Sequence, residues 1–166
     1  MNEKEFSTKY EVRKLNIDDI PQIYNLCTKN SLYYEFCPPV VTEESIADDF
    51  TALPPNTGIE NKYYVGYFGS GKLLAVMDLI DGYPEEKIAF IGFFMTDVCV
   101  QKKGIGSAII AELAGYLKSV GFKSIRLAWV KGNPQAEHFW IKNGFEFLME
   151  TFSTAAECVI LAERSL

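Results

Sequence analysis

VCVQKKGIGSAII, residues 98–110, is the stretch on which the reading of this chain turns. Val98, Cys99 and Val100 read as a strand that stops at Gln101. Lys102 and Lys103 follow, and Gly104 and Gly106 then open an apolar run at helical spacing. Glycines at a strand-to-helix junction let the main chain approach an anion with no Cβ in the way. The free N–H groups of the first helical turn then point at that anion, and the helix dipole adds to the attraction. The stretch predicts a phosphate-binding turn.

Outward from it, Ile105, Ile109, Leu113, Tyr116, Leu117 and Val120 form one helical face that Gly121 ends. SIRLAWV (124–130) reads as a strand. NPQAEHFWIKN (133–143) reads as a helix with Asn133 as cap, Pro134 in the first position and Gly144 as terminator. Two strands, 145–152 and 155–162, follow. On the other side, KYYVGYF (62–68), LLAVMDLI (73–80) and KIAFIGFFMTD (87–97) are rich in aromatic and β-branched residues. The turn compositions GSGK and DGYPEE separate them, so three consecutive antiparallel strands are expected. YEVRKLN (10–16) alternates as a half-buried strand does. IPQIYNLCTKN after Asp18 and Asp19, and TEESIADDF (42–50) with Thr42 as cap, read as helices, joined by SLYYEFCPP. The order β-α-α-β-β-β-α-β-α-β-β predicts a mixed α/β fold of the α+β type. Its central, mostly antiparallel sheet is flanked by helices, in one domain over residues 1–166.

The net charge is −6, from 16 basic and 22 acidic side chains, which argues against nucleic acid or an anionic membrane as partner and suits a cationic amine. MNEKEFSTKY has no apolar core of a signal peptide, and no apolar run approaches the roughly 20 residues of a membrane span. Cys27, Cys37, Cys99 and Cys158 form no CxxC pair and His138 is the one histidine, so no metal site is expected. Reduced cysteines fit a cytoplasmic protein.

Three phosphate motifs compete. Gly66–Lys72 has the spacing GxxxxGK, but Leu73 stands where a hydroxyl must hold magnesium, and the next segment is strand-like; a hairpin turn is the better reading. A dinucleotide motif needs a third glycine where Ile109 stands and an acid where GFKSIRLAW has none. The remaining pattern is Gln or Arg, two residues, Gly, one residue, Gly or Ala, and Gln101, Gly104 and Gly106 match it. With no metal ligand beside it, this phosphate belongs to a bound carrier and not to a group being transferred.

QKKGIG and NPQAEHFWIKNGFEF, in that order and separated by a helix and a strand, resemble the GNAT superfamily of N-acyltransferases. The likeness covers nearly the whole chain and is weakest over residues 17–60. It implies acetyl-CoA as co-substrate. It further implies that Phe94, Met95 and Thr96 offer main-chain groups to the pantetheine arm. The amides of Gln101, Lys102, Lys103, Gly104, Ile105, Gly106 and Ser107 would take the pyrophosphate. Asn133, Ala136, Phe139, Trp140 and Lys142 would flank the thioester and adenosine ends. Helical spacing puts Asn133, Ala136 and Trp140 on one side, although Phe139 and Trp140 also read as core.

Acyl transfer by direct attack needs a neutral amine, a donor to the carbonyl oxygen and a base. Many relatives carry a tyrosine as general acid where this chain has Trp140, whose indole cannot ionise usefully. Tyr83, with Tyr33, Tyr34 and Tyr116, is a phenol to consider for that role. Asp78, set among the apolar residues of LLAVMDLI, and Asp97, at the end of the strand before the turn, are the carboxylates to consider as base. Asp78 also reads as a satisfied surface residue, and His138 reads as surface. Tyr33, Tyr34 and Glu35 would suit an organic amine through cation–π and ion-pair contacts. The acceptor is a small molecule or a peptide amino group. A binding module for acyl-CoA without turnover stays open, as do monomer and homodimer.

Overall fold

A computed structural model describes residues 1–153 and 157–166. After β1 (Glu11–Lys14) come three short helices, α1 (Ile20–Thr28), α2 (Ser31–Phe36) and α3 (Glu43–Asp49). Then follow β2 (Lys62–Gly69), β3 (Lys72–Asp81), β4 (Ile88–Thr96), α4 (Ile105–Ser119), β5 (Ser124–Val130), α5 (Pro134–Lys142), β6 (Glu146–Phe152) and β7 (Cys158–Ser165). One seven-stranded sheet runs β1-β2-β3-β4-β5-β7-β6. Every neighbouring pair is antiparallel except β4 and β5, which run parallel because α4 carries the chain back between them.

The expected mixed α/β order holds, with one helix more than the sequence suggested. SLYYEFCPP contains α2, where only a connection was expected. The expected last strand begins at Cys158; Ala155 and Ala156 lie outside the described residues. Val98–Val100 is not a strand. Pairing with β3 ends at Thr96, and the Asp97 carboxylate accepts the Cys99 N–H at 2.7 Å, closing a 3-10 turn over Val98–Val100. Asp18 and Asp19 do not cap α1 with their side chains. Asn16 caps a 3-10 turn instead, and Asp19 takes both guanidinium arms of Arg13 at 2.7 Å. That hydrogen bonding is the main reason the Asp19 carboxyl lies below the usual carboxylate range.

The turn chemistry acts as the composition suggests. Ser70 and Gly71 both have positive φ (50° and 75°), the requirement of a tight hairpin turn between β2 and β3. Gly121 and Gly144 end their helices at φ 93° and 82°. Helices α4 and α5 cover one sheet face, packing Ile109, Ile110, Leu113, Leu117 and Trp140 on Val65, Tyr67, Met77 and Leu79. Helices α1 and α3 cover the other, with Ile23, Leu26 and Ile46 on Tyr64, Phe68, Val76 and Met95. Covered on both faces, β2 is buried almost end to end. Strand β6, at the sheet edge, leaves Phe147, Leu148, Met149 and Phe152 exposed. Leu113 is fully buried in the α4 face, so Leu113→Ala should cost about 2–5 kcal/mol, read as a lower urea midpoint at unchanged slope.

Candidate active site

The parallel pair β4–β5 is joined only along part of its length. Ile88–Ile91 face Ser124–Leu127, and beyond that point the register stops. Past it, β4 stays paired to β3 through Thr96, and β5 stays paired to β7 through Val130. The two strands therefore part at their carboxyl ends, and each turns an edge with no strand opposite it into the opening. An extended ligand can add to such an edge by main-chain hydrogen bonds. A β-bulge sits where the opening begins. Asp78 pairs with Phe93 and Leu79 with Ile91, so Gly92 is the extra residue, and it is exposed.

The phosphate turn lies at the wide end. Lys102 (φ 59°) and Gly104 (φ 81°) are both left-handed, and Gly104 caps α4 with no side-chain hydrogen bond. Among the described residues, the N–H groups of Lys102 through Ser107 have no close protein acceptor, whereas Ala108 N–H already bonds Gly104 O at 2.9 Å. These donors sit at the positive end of a 15-residue helix, an anion-binding arrangement. The two glycines serve different needs. Around Gly104 there is open space, and its role is conformational. A Cβ on Gly106 would lie 3.2 Å from the Phe139 ring and 3.4 Å from the Thr96 methyl, and its role is room.

Helix α5 supplies the opposite wall. Asn133 is buried and its Oδ1 accepts the Ala136 N–H at 3.1 Å, so it fixes the start of α5 beside the end of β5. Ala136 is half-buried, and Lys142 and His138 are exposed. Phe139 stacks on Phe94 on the α4–α5 face of the sheet (centroids 5.9 Å, 24°). Trp140, 8% exposed, packs against Phe94, Phe139 and Phe145, which makes the indole part of the core. Met95 is buried on the opposite face with Val76, and Thr96 is half-buried. Main-chain bonding alternates along this part of β4: Met95 turns its N–H and C=O to β3, while Phe94 and Thr96 turn theirs to the opening, where the Thr96 carbonyl already accepts from Asn30 and Gln101.

Asp78 stands on β3 at the bulge, one of its oxygens 3.2 Å from where a Gly92 Cβ would be. Its Oδ2 accepts from Lys62 Nζ at 2.7 Å, and that ammonium, only 2% exposed, also donates to Ala52 O at 2.9 Å. Asp78 Oδ1 is buried with no hydrogen-bond partner among the described residues. Burial pushes this carboxyl up from its ordinary range, and the Lys62 hydrogen bond and charge oppose the shift. A half-buried carboxylate with one buried, unpartnered oxygen beside an open strand edge is a feature that structural packing alone does not call for.

The remaining residues are scattered around this centre. Asp97 is used as the cap described above. Tyr83 meets Phe90 edge-on at the hairpin end of β4, the closed end of the opening. Tyr33 meets Tyr34 and Phe93 edge-on at 5.1 and 6.0 Å, so α2 rests on the strand beside the bulge. Burial raises both phenols, which makes them weaker acids than free tyrosine. Glu35 is exposed. Two features of the site escaped the sequence reading: the bulge at Gly92, and the side-chain bond from Gln101 to Asn30. A depression of about 410 Å³ beside β6, floored by Trp129, Ile141, Phe147 and Ile160, lies apart from the opening.

This fold belongs to a known class. A model of the acetyltransferase (GNAT) family matches residues 23–145, and the chain belongs to that family. Among solved structures it is similar to an acetyltransferase from Thermus thermophilus (18% identity, TM-score 0.78, 95% of this chain and 97% of that one). It is also similar to the PaiA N-acetyltransferase of Thermoplasma acidophilum in complex with coenzyme A (17%, TM-score 0.68, 95% and 99%). A third is the ribosomal-protein-S18-alanine N-acetyltransferase of Escherichia coli (18%, TM-score 0.66, 94% and 93%). No curated protein matches the chain. Among the described residues no helix is long and apolar enough to cross a membrane.

Proposed function

We propose that residues 1–166 form one N-acetyltransferase domain that moves an acetyl group from acetyl-CoA to a primary amine, in a small molecule or a peptide, in the cytoplasm. The observation that carries this reading is the parting of β4 from β5 next to the unpaired N–H groups of Lys102 through Ser107. The N–H groups would hold the diphosphate, Lys102 and Lys103 adding charge. The edge of β4 beyond Ile91, along Phe94, Met95 and Thr96, would hold the pantetheine arm, which brings the thioester toward the bulge. Acetyl-CoA supplies an activated acyl carbon there. A main-chain N–H at the bulge or in Phe94–Thr96 would stabilise the carbonyl oxygen as charge develops. The amine nitrogen bonds to that carbon as the carbon–sulfur bond breaks, one amine proton passes to a base, and the departing thiolate takes a proton from solvent or a nearby phenol.

Asp78 is the carboxylate best suited to be the base. It lies beside the bulge with its Oδ2 held by Lys62, its buried Oδ1 has no hydrogen-bond partner among the described residues, and burial raises its affinity for a proton above the ordinary range. The acceptor would enter past α2 and α3. Residues 31–50 there carry Glu35, Glu43, Glu44, Asp48 and Asp49 and no lysine or arginine, which supports a cationic acceptor. The test is release of free thiol from acetyl-CoA with a panel of polyamines, amino acids and short peptides. Amine-dependent release is expected. Binding of acetyl-CoA with no release for any amine would make this a binding module, and no binding at millimolar concentration would end the reading.

A further inference from the structure

We infer that Asn30 is a positioning residue that couples the phosphate turn to the acceptor wall. Asn30 is 8% exposed and sits between α1 and α2. Its Oδ1 accepts from Gln101 Nε2 at 2.6 Å, and its Nδ2 donates to Leu26 O at 3.0 Å and Thr96 O at 3.2 Å. Gln101 Nε2 also donates to Thr96 O at 3.2 Å. Chemistry fixes the orientation of both amides. Turning either one over would set its oxygen against a carbonyl oxygen.

One buried side chain thus joins three parts of the site. Gln101 leads into the left-handed turn at Lys102, Thr96 ends the open edge of β4, and Leu26 lies in α1. The Asn30 main chain extends the link, since its carbonyl accepts the Tyr33 N–H at 3.0 Å. Tyr33 then rests on Phe93 beside the bulge. The Gln101 side chain, half-buried, is turned away from the proposed diphosphate and spent on this connection. Filling the phosphate turn holds Gln101 still, and through Asn30 it holds the first turn of α2. By linkage, an acceptor that orders α2 tightens the turn on its diphosphate by the same factor.

This inference rests on the coenzyme A reading, and one experiment separates the two. Calorimetry first measures coenzyme A binding to the wild-type chain. Amide hydrogen exchange is then followed by mass spectrometry at saturating coenzyme A for each protein. In the wild type, exchange over residues 31–37 should slow roughly fivefold or more on binding. In Gln101→Met, and in Asn30→Leu, that slowing should vanish, and the double variant should lose no more than either single one, because each removes the same bond. Gln101→Met, at a half-exposed position, keeps the test available if Asn30→Leu does not fold. Saturable binding with no slowing in the wild type, or equal slowing in Gln101→Met, overturns the coupling alone. Absence of binding to the wild type overturns the coenzyme A reading and the coupling with it.

Discussion

Gly106→Val is expected to weaken coenzyme A binding roughly 100-fold or more, about 2.7 kcal/mol, in a chain that still folds. The cause is space. The first Cβ already meets the Phe139 ring at 3.2 and 3.3 Å and the Thr96 methyl at 3.4 Å. Phe139 cannot easily retreat, since it stacks on Phe94 and packs edge-on against Trp140 at 4.9 Å. Two further methyl groups must push the start of α4 away from α5 and β4, and overpacking of this kind costs about 1–3 kcal/mol. The displaced part is the row of N–H donors, so binding suffers more than stability does. Gly104 is the control. No atom lies within 4 Å of a Cβ there, and the cost of a side chain is the positive φ of 81°, about 1–2 kcal/mol for alanine and less for asparagine. Calorimetric affinity should therefore fall in the order wild type, Gly104→Asn, Gly104→Ala, Gly106→Val. Wild-type affinity in Gly106→Val at unchanged melting temperature would mean that the diphosphate is held elsewhere.

The contrast between these glycines shows what the sequence could disclose. QKKGIG announces a turn, and the caps at Thr42, Asn133, Gly121 and Gly144 announce where helices begin and end, because each rests on local chemistry. That Gly106 is needed for room depends on Phe139, 33 positions later, and no local pattern carries it. Val98–Val100 has the residues of a strand, yet Asp97 takes the Cys99 N–H and the chain turns. Side-chain capping outweighs β-propensity where no partner strand continues. Helix α2 was hidden because its apolar residues pack on Phe93 and α1 and not along one stripe. The Lys62–Asp78 pair was half legible. The tight turn at Ser70 and Gly71 fixes the hairpin, which sets Tyr64 opposite Asp78 and Lys62 on the diagonal, although the bulge at Tyr67/Phe68 must be allowed for in counting. A lysine at the head of a strand reads as solvated; only the fold shows it 2% exposed.

Asp78→Asn is expected to lower kcat roughly 10²- to 10⁴-fold, the range for loss of a positioned base, while the chain stays folded because the amide oxygen can still accept from Lys62. The pH profile separates a base from a mere partner of Lys62. The carboxyl is lifted above its ordinary value of 3.8, first by burial, so wild-type kcat/KM should rise with unit slope through that raised value and level off above it. In Asp78→Asn this limb should be gone. Stability carries the opposite sign. The folded chain keeps a proton that the unfolded chain has released, so stability falls as pH rises from the ordinary value to the raised one and is level beyond it. Asp78→Leu should cost about 3–5 kcal/mol, since it strands a buried ammonium. Adding Lys62→Met to that variant should recover most of the loss, because two apolar groups replace the pair, but should recover no activity. Stability and turnover then part company, which a purely structural carboxylate does not allow. If Asp78→Asn keeps the wild-type kcat and the same pH limb, the base lies elsewhere and Asp78 serves only to hold Lys62.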